Sequence, residues 1–127
     1  MRKVLLSVSS LYMAVVGLAL TFFPIAFGRG AVPVDAGPEL VAFLRVLGGP
    51  CLGIATLDWL SRHTERPAVD AIMFANIAGF AAVTANDAWG VASGASRDIA
   101  GLFLVVHLLF TCAFVAVAWI GFTKSAG

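Results

Sequence analysis

The sequence predicts an all-α polytopic membrane protein, an antiparallel bundle of four transmembrane helices. Three observations lead there. Of 127 residues, 61% are hydrophobic and only 12% are charged, whereas soluble domains are roughly 45–50% apolar and about 25% charged. The mean hydropathy of +0.99 leaves too little polar surface to cover a water-soluble globule of this length. Four apolar stretches, 4–27, 40–60, 69–92 and 99–122, each reach the ~20 residues a helix needs to cross the hydrocarbon core. Little lies outside them, so residues 1–127 read as one membrane domain. The joints GRGAVPVDAGPE, SRHTERPA and SGASRD are rich in Gly, Pro, Ser and charge, as loops are.

The first span, Val4 to Phe27, follows MRK, which is also how a signal peptide begins. Its apolar run exceeds the about 7–15 residues of a signal h-region, so the expectation is a retained helix. Ser7, Ser10, Ala14, Gly17 and Thr21 recur at steps of three and four, giving it one small-residue face suited to helix contact in lipid. The second span, 40–60, carries Gly49-x-x-x-Gly53, a close-approach spacing expected to face another helix. Pro50 between those glycines removes a donor and predicts a kink. The third span, 69–92, continues with Ala75 and Gly79. Trp59, Trp89 and Trp119 fall near span ends, where an aromatic belt belongs.

Orientation follows from Lys and Arg. With the N-terminus inside, the inner segments hold Arg2, Lys3, Arg62, Arg66 and Lys124, and the outer loops hold Arg29 and Arg97. Both termini are therefore expected to be cytoplasmic. A net charge of +1 with no basic stripe argues against nucleic acid as a partner. Cys51 and Cys112 lie in separate apolar runs and read as small hydrophobes rather than a metal or redox pair. No H-E-x-x-H, G-x-S-x-G or phosphate-cradling glycine loop occurs, and no cofactor is expected.

The third span holds FANIAGFAAVTANDAWG, residues 74–90. Asn76 and Asp87 are separated by 11 residues, which returns them to within about 20° on a helix; Asn86 lies to one side. Ionisable groups in a span call for partners. Arg45 is the sixth residue of the second span and Asp87 the sixth from the outer end of the third. Antiparallel neighbours would bring them to one level, about 8 Å below the interface. His107 enters a turn deeper on the fourth span, with Thr111 on the same face. The candidate site is Arg45, Asp87, His107, Asn86 and Asn76, with Glu39 at its rim. It is either a buried clasp that fixes helix pairing or a pocket for a ligand. At the inner side, Asp58 and Arg62 are spaced as an i,i+4 pair.

FLRVLGGPCLGIATLDWLSR, residues 43–62, with an Arg-x-x-Gly early in a span, a second Gly and a Trp-x-x-Arg end, resembles the small four-helix bacterial membrane families of the DoxX-like and ergosterol-biosynthesis-scaffold-like kind. The resemblance implies a fold, and with it a place in a bacterial inner membrane, rather than an activity. Two function classes fit the whole sequence. One is a non-catalytic scaffold or accessory subunit, with membrane lipids, further copies or a larger membrane complex as partners. The other is a carrier or enzyme binding an anionic or lipid-like ligand at Arg45, Asp87 and His107.

The orientation has a direct readout. In a background lacking Cys51 and Cys112, a cysteine at Ala31 should react with an impermeant reagent added outside intact cells, and one at Thr64 should not. Labelling in the opposite sense would reverse the topology.

Overall fold

The computed structural model describes residues 1–65 and 67–125. Arg66, one of the inner basic residues used for orientation, lies outside them. The described residues are helical in five elements: α1 Arg2–Phe22, α2 Pro24–Phe27, α3 Pro38–Ser61, α4 Ala68–Ala92 and α5 Ala100–Ser125. Within α1, α3, α4 and α5 lie four segments long and apolar enough to cross a membrane, and most of each is uncovered.

The first span ends sooner than hydropathy suggests. Pro24 has no N–H to give to the preceding turn, and its ring disfavours helical geometry in the residue before it. Phe23 accordingly leaves the helix at φ −132° and ψ 48°. Pro24 then opens the short α2, where a fixed φ suits a first helical position. A tight turn follows, with the N–H groups of Ala31 and Val32 both donating to the Gly28 carbonyl and Gly30 at φ 86°. Pro38 opens α3 behind the extended Gly37, with Glu39 in the first turn, the end where the helix dipole favours an acid. α3 continues through Pro50 to Ser61.

α4 stops by a Schellman arrangement: Ala95 N–H donates to the Gly90 carbonyl at 3.1 Å and Gly94 N–H to Val91 at 3.3 Å. That closure needs a left-handed residue, and Gly94 supplies it at φ 68°.

The chain divides into two compact units, residues 6–62 and residues 1–5 with 63–127. In the first, α1 meets α3 backbone to backbone. A Cβ at Gly17 would lie 2.8 Å from Leu52 Cγ and 3.0 Å from the Gly48 carbonyl oxygen; one at Gly48 would lie 2.7 Å from the Gly17 oxygen. Ser10 Oγ adds a bond to the Ala55 carbonyl at 2.7 Å. The small-residue face expected on the first span is therefore the contact face, with Ser10 and Gly17 buried.

The glycines expected to face another helix, Gly49 and Gly53, are not the ones that meet α1. Neither Gly49 nor Gly53 has an atom within 4 Å of where a Cβ would stand. The contact belongs to Gly48, and one residue's step turns a side chain by about 100°, carrying Gly49 out of it.

In the second unit α4 packs along α5. Phe80 stacks on Phe110 at 4.6 Å and Phe114 at 5.8 Å between centroids. Phe114 and Val69 are fully buried. Arg2 reaches the Thr64 carbonyl at 3.1 Å.

Neighbouring glycines should thus behave oppositely. Gly48→Ala should lower stability in detergent by about 1–3 kcal/mol through overpacking. Gly49→Ala should be neutral or gain up to about 1 kcal/mol from helix propensity. Thermal unfolding of the two variants decides it; equal losses would contradict the assigned contact face.

Candidate functional site

The spacing of residues on α4 and α5 builds one polar strip between them. Phe80, Thr84 and Asp87 recur at steps of four and three on α4, and His107, Thr111 and Phe114 do the same on α5. Such steps keep residues on one helix face. Because the helices run antiparallel, the strips meet in reverse order: Asp87 with His107, Thr84 with Thr111, Phe80 with Phe114.

At the loop end, His107 Nδ1 lies 2.6 Å from Asp87 Oδ2. An ionised carboxylate can only accept, so beside an ionised Asp87 it is Nδ1 that donates. The two side chains keep 12% and 17% of their surface. Aromatic rings flank the imidazole, Phe103 at 6.0 Å and Phe80 at 6.2 Å between centroids. The Arg97 guanidinium sits over Phe103 at 4.9 Å, a cation–π contact. Asp87 stands five residues before the end of α4, about 7.5 Å along the axis.

One turn further, Thr84 and Thr111 approach to 3.2 Å. Each hydroxyl also donates within its own helix, Thr84 to the Phe80 carbonyl at 2.7 Å and Thr111 to the His107 carbonyl at 2.8 Å. A hydroxyl has one proton. Bonding across the helices therefore requires one threonine to turn from its carbonyl. The phenylalanine stack closes the strip beyond. The arrangement holds two helices in register.

The sequence candidates distribute as follows. Asp87 and His107 meet, and Thr111 lies on their face as expected. The partner the structure assigns to Asp87 is His107, which the sequence placed a turn from it. Arg45 lies on α3 in the other unit and is exposed; Asn86 is exposed on α4, away from the dyad's interface position. Asn76 is buried, but its Nδ2 donates to the Ile72 carbonyl at 3.0 Å, and the Phe80 layer separates it from Asp87. Glu39 is exposed in the first turn of α3.

A second carboxylate clasp escaped the sequence reading. Asp58 and Ser9 are both fully buried, and Ser9 Oγ donates to Asp58 Oδ2 at 2.6 Å. Arg62, expected opposite Asp58, instead lays its guanidinium on the Trp59 ring at 3.5 Å and donates to the Trp59 carbonyl. The available signal was Ser9 beside Ser10, two hydroxyls on adjacent faces of one span. Among the described residues, no three His, Cys, Asp or Glu side chains gather as a metal site would require.

No family model matches this chain, and neither a curated protein nor a solved structure is similar to it at a significant level.

The dyad's role can be read from replacements. His107→Leu alone leaves the carboxylate without its ring donor and should cost about 1–3 kcal/mol. Asp87→Leu with His107→Leu should recover most of that loss, as apolar replacement of both members of a buried pair often does. Denaturation in detergent measures both; a double variant worse than either single would show that the pair contributes more than its mutual satisfaction.

Proposed function

We propose that this is a multi-pass integral membrane protein acting as a non-catalytic scaffold or small accessory subunit of a membrane assembly. The observation that carries this reading is how the polar groups inside the apolar helices are used. Asp58 receives Ser9 across α1 and α3, and Asp87 receives His107 across α4 and α5. Both carboxylates tie one helix to another, which is the use of buried polarity that fixes pairing and register. The surface they leave outward is apolar: Val4, Val8, Leu11, Val15, Leu18 and Phe22 form one exposed stripe along α1. Such a stripe suits acyl chains or another helix.

The lipid-facing composition supports insertion in a membrane, and the distribution of Lys and Arg supports cytoplasmic termini. The four-helix resemblance of residues 43–62 supports a bacterial inner membrane as the location. It adds architecture to the reading and no site residues.

A second reading has one observation of its own. His107 is oriented by a carboxylate and flanked by rings, and both members of the dyad retain some exposure. An imidazole held this way can accept a hydrogen bond or proton from a ligand. On that reading the protein is a carrier or enzyme for an anionic or lipid-like molecule.

One comparison separates the two. The wild type and the Asp87→Leu/His107→Leu double variant are purified in mild detergent, and their co-migrating proteins and lipids are identified. The scaffold reading expects the same defined protein partner with both. Loss of a bound small molecule or lipid from a folded double variant, with no protein partner in either sample, would favour the carrier.

A further inference from the structure

The helix α3 presents two glycine faces, and only one of them is used within its unit. Gly48, with Ala55 and Asp58, is buried. On the far side lie Ala42, Gly49, Gly53 and Thr56, all exposed, with nothing within 4 Å of either glycine's Cβ position. In lipid, large apolar side chains are content where they are, so the exposed stripe of α1 needs no cover; close backbone approach and polar pairing drive association.

Charge identifies what covers the α3 face. At about 100° per residue, Glu39 and Arg45 stand about 60° to either side of the line through Ala42, Gly49 and Gly53. Both are exposed, and neither has an ion-pair partner among the described residues. Copies inserted with one topology and related by a two-fold axis along the membrane normal would set their α3 helices parallel, face to face. An isologous contact of that kind puts residue i against j and j against i. The edge bearing Arg45 on one copy then meets the edge bearing Glu39 on the other. The two arginines fall on opposite sides of the seam and do not oppose each other.

The six residues between them amount to about 9 Å of rise. Side chains on a helix lean toward its N-terminus, so the long Arg45 side chain reaches toward Glu39, and Glu39, in the first turn of α3, turns back to meet it. A charge inside a span is costly when unmatched, and this pairing matches it twice.

We infer that the Ala42–Gly49–Gly53 face of α3 docks a second copy of this chain, forming a two-fold dimer closed by reciprocal Glu39–Arg45 ion pairs. The inference stands apart from the scaffold reading, which concerns what such a dimer serves.

The test uses the full-length protein in lipid vesicles, with energy transfer between donor- and acceptor-labelled copies titrated by dilution. The wild type should associate. Arg45→Glu and Glu39→Arg should each weaken association at least about tenfold, since each removes both reciprocal pairs at once, and Glu39→Arg with Arg45→Glu should restore it. Gly49→Leu should abolish association without lowering the helicity or thermal stability of the separated protein, since that glycine touches nothing in its own unit. A wild type that stays monomeric at every dilution would overturn the inference. So would a dimer indifferent to Gly49→Leu, or single charge reversals that the double reversal does not repair.

Discussion

A polar side chain on a helix that crosses a membrane has no water to turn to, so its partner has to come from another helix or from its own backbone. Both units of this protein bond a carboxylate from helix to helix, as that constraint would demand. In residues 6–62 a carboxylate on α3 is met by a hydroxyl from α1; in the other unit a carboxylate on α4 is met by an imidazole from α5. Each bond joins residues far apart in sequence and sets which helix faces which, and at what level. Packing then follows along the rest of the pair by two different means. α1 and α3 bring backbones together at Gly17 and Gly48, where no side chain stands between them. α4 and α5 run close along each other, with the rings of Phe80, Phe110 and Phe114 packed together between Asp87 and the far end of the pair.

The two clasps are not chemically equivalent. A serine hydroxyl has one proton, and at Asp58 that proton is committed to a fully buried carboxylate. The bond fixes α1 against α3. An imidazole has two nitrogens, so bonding through Nδ1 still leaves the ring with a second polar atom. His107 also lies near the helix ends and between rings rather than in a sealed core. On the carrier or enzyme reading, Asp87 and His107 are the residues that would serve a ligand.

The helices were legible because crossing a membrane demands only length and apolarity, and both are counted directly. What hydropathy misses is a backbone defect inside an apolar run: Pro24 breaks the first span without changing its composition. Position along the helices was legible to within a turn: counting from span ends put His107 a turn deeper than Asp87, and the two side chains meet at 2.6 Å. Rotation about the helix axis was not, because counts along an axis leave the azimuth open. That gap is why Asp87 was matched to Arg45 by level alone and its bond to His107 was not picked out. It also assigned the close contact to Gly49 and Gly53 when Gly48 makes it. Thr84 was overlooked for a different reason. A threonine can satisfy itself on its own helix carbonyl, as this one does, and so raises no alarm in a sequence.

The glycine doublet at 48–49 shows how one helix can carry two instructions. A glycine gives up helix propensity of about 1 kcal/mol relative to alanine and forfeits the contacts a side chain would make. At Gly48 the loss is offset by the approach of α1, which a methyl group would prevent. At Gly49 and Gly53 the unit offers no such return, and an alanine would fit at either. Their smallness has a physical use only if something comes as close to that face as α1 comes to the other. Arg45 and Glu39 flank the same face with opposite charge, and an arginine this far along an apolar helix has few inexpensive alternatives. The seam and its borders therefore point to the same kind of neighbour, a parallel helix bearing the same residues at the same depth.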